Sequence, residues 1–199
     1  MDKVEQISLE ILNTSLLEWL AVLSSLFYVV LIARKHILGW FFAAISSGIY
    51  SYLCFINNYY LETILQVFYL AMAFWGWFHW HTTRNEKQFI RRWKLNHHLF
   101  NILISAGLTV LLGFLFDTYT NQLMPYLDAF TTVFSIAATF MVASKVLENW
   151  LYWIVIDIAS IQLYGSRDLN LTAVLYFLYA VIALIGFIRW RRVYLLQGK

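Results

Sequence analysis

Residues 148–157 read Glu-Asn-Trp-Leu-Tyr-Trp-Ile-Val-Ile-Asp, which sets Trp150, Trp153 and Asp157 at spacings of three and four. On a helix that spacing continues through Ser160 and Tyr164, so two indoles, a carboxylate, a hydroxyl and a phenol share one face. Aromatic ring faces attract positive charge, and a carboxylate compensates charge or accepts hydrogen bonds from amino groups. Together they suit a flat organic cation. Glu62, Gln66, Tyr69, Ala73 and Trp77 form a second face at the same spacing, and Tyr176 and Tyr179 lead a third toward Ala183 and Gly186. The candidate binding residues are therefore Gln66, Tyr69, Trp77, Trp150, Trp153, Asp157, Tyr176 and Tyr179.

The elements that carry these faces are membrane helices. Of 199 residues, 61% are hydrophobic, 19% aromatic and only 13% charged, whereas a soluble domain carries roughly twice that charge. The apolar residues fall into seven blocks, near 15–33, 38–56, 61–80, 98–117, 126–143, 149–165 and 171–189. Each is long enough to cross a hydrocarbon layer about 30 Å thick. None alternates as a barrel strand does, so the fold class is all-α, integral membrane. An ionised carboxylate inside such a span costs at least a few kcal/mol. Asp157 therefore faces either a hydrogen-bond donor on a neighbouring helix or a wet, ligand-binding interior, and its aromatic company favours the ligand.

Residues 1–14 hold Asp2, Glu5 and Glu10 ahead of any apolar stretch, so the sequence predicts no cleaved signal peptide. Cys54 stands alone within the second block and reads as a small packing residue. With seven spans, twelve basic residues fall on one side: Arg34, Lys35, Arg84, Lys87, Arg91, Arg92, Lys94, Lys145, Arg189, Arg191, Arg192 and Lys199. Lys3 and Arg167, two in all, fall on the other. That imbalance predicts an outside N-terminus and a cytoplasmic C-terminus. The net charge of +3 thus reflects membrane topology and not nucleic-acid binding, and Arg91–His98 reads as a linker near anionic headgroups.

The chain also matches itself. Shifted by 110 residues, 17–80 falls on 127–190 without a gap, with 12 identities in 64 positions. Ser25 with Ser135 is among the identities, and the informative ones are Trp40 with Trp150, Gly76 with Gly186 and Trp80 with Trp190, along with the acidic pair Glu18 and Asp128. Three spans, one reversing span and three more give two triplets that cross the membrane in the same direction. This 3+1+3 parallel-repeat arrangement is that of SWEET-type sugar transporters, whose ligand site lies at the repeat interface near the midplane. The expected divisions are an outer segment 1–14, a first repeat 15–80 and a basic cytoplasmic linker 81–97. A linker helix and loop 98–124, a second repeat 125–190 and a cytoplasmic tail 191–199 follow.

Over roughly 17–190 the chain resembles the Pnu-type vitamin transporters, which include nicotinamide riboside and thiamine carriers. The likeness rests on LQVFYLAMAFWGWFHW (65–80), on DAFTTVFSIAATFMVASKVLENWLYWIVID (128–157) and on GFIRW (186–190). It implies seven core spans, a homotrimer in a bacterial inner membrane, and facilitated diffusion of a vitamin trapped by cytoplasmic phosphorylation. Nicotinamide riboside members carry Asn where this chain has Asp157, and a polar residue where it has Ala73. These departures favour thiamine as the substrate, with nicotinamide riboside as the alternative.

Other residues read more plainly. Trp80 and Trp190 sit where aromatic belts are expected. His79, His81, His97 and His98 lack an accompanying Cys or carboxylate ligand set, which argues against a metal centre. Glu18 and Asp128 either cap helices or bond across the repeat. Gly76 and Gly186 permit close helix contact, and Pro125 starts the fifth span. Asp117 and Asp128 lie near the outer boundary, too far from Asp157 for a paired-aspartate hydrolase, and no Ser/His pair lies at membrane depth. The sequence thus argues against an enzyme and calls for no cofactor.

Overall fold

The computed structural model describes residues 11–12, 14–56, 60–82, 90–121, 123–167 and 169–197. Among them run seven long helices: α1 (Leu16–Ala33), α2 (Leu38–Ile56), α3 (Tyr60–Thr82), α4 (Leu95–Tyr119), α5 (Pro125–Ala143), α6 (Asn149–Ser166) and α7 (Asn170–Gln197). Lys3, Arg84, Lys87 and Lys199, counted in the charge balance above, lie outside the described residues, as do Asp2, Glu5 and Glu10. Five of these helices, α1, α2, α4, α5 and α7, are long and apolar enough by themselves to cross a membrane. The less apolar α3 and α6 are the two that carry Gln66 and Asp157.

Local signals explain where helices begin and end. Ser15 caps α1 in a capping box: the Glu18 amide donates to Ser15 Oγ at 3.2 Å, and the Ser15 amide donates to Glu18 Oε2 at 2.8 Å. Glu18 is therefore a cap. Its counterpart Asp128 instead accepts from Arg167 Nη2 at 2.7 Å. Pro125 opens α5, where a missing amide costs nothing. α1 and α5 close on the same turn. Lys35 and Lys145 take positive φ, 57° and 56°. The next amides reach back to Leu31 O at 2.8 Å and Met141 O at 2.9 Å, which satisfies carbonyls left over at the helix ends.

The helices close into a ring. α1 packs on α2, α2 on α3, α3 on α5, α5 on α6, α6 on α7 and α7 on α1, while α4 lies along α5 and reaches α6 through His98, whose ring bonds Tyr152 Oη at 3.1 Å. By this order α1 stands opposite α5, α2 opposite α6, and α3 opposite α7. Outward faces bear exposed apolar side chains such as Phe41, Phe74, Leu103 and Ile188, as a lipid-facing surface requires.

Four tryptophans form the centre of the core. Trp40 meets Trp80 edge-on at 5.7 Å and 87°, Trp150 meets Trp190 at 5.5 Å and 87°, and Trp80 lies 6.3 Å from Trp190. Gly76 and Gly186 make room for this. A Cβ on Gly76 would come within 2.5 Å of the Trp40 ring, and one on Gly186 within 2.8 Å of the Trp150 ring. Trp80 and Trp190 are not belt residues. They are 1% and 0% exposed and donate their indole N–H groups to Ala143 O at 3.0 Å and Ile32 O at 3.2 Å. Each ties the end of α3 or α7 to the end of the neighbouring helix in the ring, α5 or α1. A buried indole needs such a partner.

The basic end of the molecule is more ordered than a linker and a tail. α7 runs on through Gln197, whose Oε1 accepts from the Ile90 amide at 2.9 Å. Arg91 pairs with the α5–α6 turn, its amide donating to Lys145 O at 2.9 Å and its carbonyl accepting from Leu147 at 2.8 Å. Arg92 Nε donates to Glu148 Oε1 at 2.6 Å. The division into a linker 81–97 and a tail 191–199 therefore does not hold at its edges: 81–82 and 191–197 are helical, and α4 starts at Leu95. Arg189, Arg191 and Arg192 mark a change of environment, but backbone hydrogen bonding carries the helix past it.

Candidate functional site

Asp157 is 2% exposed, in the middle of α6. The helix brings Ser160 to the same buried face, 2% exposed, and Tyr164 one turn further on. Across the α6–α7 contact, Tyr164 stacks on Tyr176 at 5.1 Å and 10°, and Tyr176 meets Tyr179 edge-on at 5.7 Å and 88°. Tyr179 lies within electrostatic reach of Asp157 on α6, Tyr50 on α2 and Tyr28 on α1. Tyr69 on α3 lies within reach of Tyr28, and of Tyr164 and Tyr176. The backbone of α3 lies close to none of α1, α6 and α7, so these side chains approach one another across the interior of the ring.

Two hydroxyl pairs close the wall between neighbouring helices. Tyr69 Oη lies 2.5 Å from Ser135 Oγ, joining α3 to α5. Tyr179 bonds Ser25, joining α7 to α1. Each serine gives its proton to a carbonyl of its own helix, Thr132 O at 2.8 Å and Val22 O at 2.7 Å. A hydroxyl has one proton, so the tyrosines are the donors. The site is thus a cluster of phenol groups from several helices around the Asp157 carboxylate, with Glu62, Asp128 and Arg167 within electrostatic reach of Tyr164 and Glu18 within reach of Tyr50.

Of the eight candidates named from sequence, the structure groups Tyr69, Asp157, Tyr176 and Tyr179. Gln66 is half-buried one turn from Tyr69 on α3. Trp153 is half-buried one turn from Asp157, packed against the tryptophan core. Trp77 packs on the same core, two turns along from Tyr69. Trp150, 2% exposed, lies edge-on to Trp190 and packs on Gly186, in the tryptophan core two turns from Asp157. Tyr28, Tyr50 and Tyr164 were not among the candidates. Tyr164 lies on the Asp157 stripe and was legible there; Tyr28 and Tyr50 belong to α1 and α2, whose inner faces no sequence pattern singled out. The matching serines, Ser25 and Ser135, were already aligned in the internal repeat.

Residues 15–192 match the model of a family described as nicotinamide mononucleotide transporters. The chain belongs to this family. Its relatives include the nicotinamide riboside transporter PnuC of Escherichia coli (strain K12), 26% identical over 205 residues, spanning 89% of this chain and 86% of that one. The protein of the same name in Neisseria mucosa is 25% identical, over 87% of this chain and 72% of that one. Among solved structures, the crystal structure of the Vitamin B3 transporter PnuC superposes with a TM-score of 0.73, at 22% identity, over 96% of this chain and 88% of that one. Membership of the nicotinamide mononucleotide transporter family makes the chain a multi-pass membrane transporter and not an enzyme. The structural match covers 96% of this chain, so the helical fold is shared.

Proposed function

We propose that the protein carries a pyridinium vitamin, nicotinamide riboside, across a bacterial inner membrane through the aromatic ring interior. The observation that carries this reading is Asp157, a buried carboxylate among phenols and an indole, inside a chain whose named relatives transport nicotinamide riboside. A carboxylate held out of water is expensive unless a positive partner arrives, and a pyridinium riboside supplies one. Its flat ring stacks on Trp153, and Gln66 and Tyr176 face its polar edges. Thiamine is the second reading. It too is cationic, and it is favoured by Asp157 and Ala73, the two positions at which this chain departs from the riboside pattern.

The arrangement underlying transport is a 3+1+3 parallel repeat, with α1–α3 and α5–α7 as repeats and α4 as the reversing helix. It is supported by the ring order, which sets matching helices opposite each other, and by the paired Trp–Gly and Tyr–Ser contacts 110 residues apart, the Trp–carbonyl bonds matching to within one residue. The basic end is cytoplasmic. Transport is uniport by alternating access, the two repeats rocking about the site, with direction set by phosphorylation of the arriving vitamin. The working unit is a homotrimer, as the family resemblance implies.

Calorimetric titration of the purified protein with each vitamin, followed by uptake into proteoliposomes without an ion gradient, tests this. Nicotinamide riboside should bind and equilibrate. Tight binding of thiamine with no heat from the riboside would move the assignment to the second reading. Accumulation that needs a proton or sodium gradient would remove the uniport mechanism. Asp157→Asn should weaken the cation by roughly tenfold to a hundredfold, the equivalent of about 1.5–3 kcal/mol for a charge-assisted bond.

A further inference from the structure

Asp157 has a counterpart across the ring. The stripe Trp150, Trp153, Asp157, Ser160 on α6 matches Trp40, Ala43, Ser47, Tyr50 on α2 at the 110-residue shift, with the same spacings. α2 and α6 stand opposite each other and do not touch. Ser47 is 7% exposed. Tyr50 is half-buried and lies within electrostatic reach of Glu18 on the adjacent α1, of Tyr164 on α6 and of Tyr179 on α7. α2 packs on neither α6 nor α7, so Tyr50 points into the interior. The rotation of α2 is fixed independently by Ser46, whose hydroxyl donates to Ala21 O on α1 at 3.0 Å.

The framework residues of the two stripes are alike, but the lining is not. Trp153 on α6 corresponds to Ala43 on α2, and Tyr50 on α2 to Ser160 on α6. Bulk therefore sits on α6 at the level nearer the tryptophan core and on α2 one to two turns beyond. The two bulky side chains thus sit at different levels, with the carboxylate and the indole on the α6 stripe and two hydroxyls on the α2 stripe. Neutral hydroxyls both donate and accept, and a bound hydroxyl satisfies them where a cation would not.

We propose that Ser47 and Tyr50 form the second half of the binding site and determine specificity by holding the hydroxylated end of the ligand, while Trp153 and Asp157 hold its cationic ring. This rests on the reading of the ring interior as the vitamin site. For a riboside, the hydroxylated end is the sugar.

The test is titration of wild type, Ser47→Ala, Tyr50→Phe and Asp157→Asn with nicotinamide riboside and with its 2′,3′-dideoxy analogue, each variant first checked by thermal unfolding. Tyr50→Phe removes one oxygen and is expected to raise Kd for the riboside about tenfold, with Ser47→Ala raising it about threefold to tenfold. The dideoxy analogue should lose much less in both variants, since the hydroxyls it would present are already gone. Equal losses for the two ligands would show a structural role and overturn the proposal. So would wild-type affinity in Ser47→Ala and Tyr50→Phe while Asp157→Asn is weakened, a result that leaves the site reading standing. A wild type that binds neither the riboside nor thiamine would overturn both.

Discussion

The phenol of Tyr69 donates to Ser135 Oγ at 2.5 Å, and the residues 110 positions removed, Tyr179 and Ser25, make the same bond on the opposite side of the ring. Each pair fastens α3 or α7 to the first helix of the other triplet. Tyr69→Phe and Tyr179→Phe should each lower unfolding free energy by about 1 kcal/mol, the usual net worth of a buried hydrogen bond. The serines keep their carbonyl partners, so no donor is stranded. Because the pairs share no residue, the double variant should lose the sum. Chemical unfolding in detergent, followed by tryptophan fluorescence, measures all three.

Gly76 and Gly186 are constrained by contact and not by backbone angle. A methyl on either enters a tryptophan ring at 2.5 or 2.8 Å. Both rings are buried among other tryptophans and cannot retreat, so Gly76→Ala and Gly186→Ala should cost about 1–3 kcal/mol through overpacking. Gly165→Ala, where nothing lies within 4 Å, should be neutral or slightly stabilising, since alanine suits a helix better. Thermal unfolding of the three variants side by side gives the comparison.

At the basic end, Arg92 and Glu148 contribute unequally to one ion pair. The Arg92 side chain is 58% exposed and that of Glu148 10%. The Glu148 carboxylate beside it holds the Arg92 guanidinium above its ordinary pKa. Arg92→Ala should cost little, about 0–1 kcal/mol, as exposed partners do. Glu148→Ala should cost more, because it also removes the acceptor of the Trp93 amide at 3.3 Å and loosens the 90–93 segment from the α5–α6 turn. Limited proteolysis between α3 and α4 should accelerate in Glu148→Ala and not in Arg92→Ala.

Sidedness can be read with single cysteines in a Cys54→Ser background. Lys94→Cys, beside the start of α4, should resist an impermeant thiol reagent added to intact cells, and Leu123→Cys, at the other end of that helix, should react. Both positions are exposed, so access depends on the membrane alone. The reverse pattern would invert the proposed orientation.

Residue order alone settled whatever depends on local spacing and on transfer to an apolar phase. The seven apolar blocks became seven helices, the Asp157 stripe came out on one buried helix face, and Pro125 opened α5, because each follows from neighbours a few positions apart. That Gly76 and Gly186 serve close contact was legible as well, but that the contacts are with Trp40 and Trp150 emerged only in the fold. What sequence could not decide was which face of each helix looks inward once the ring closes. A tryptophan near a helix end reads equally as a belt or as a core residue, and only the donation of Trp80 to Ala143 and of Trp190 to Ile32 makes them core. Trp150 shares a stripe with Asp157, and its ring packs on Gly186 and Trp190. Tyr28 comes within reach of Tyr69 on α3, and Tyr50 of Tyr164 on α6, helices that their own helices do not pack on. Hydrogen bonding within a helix is local and fixes the element; the inward face is fixed by distant packing, which exists only in the assembled ring.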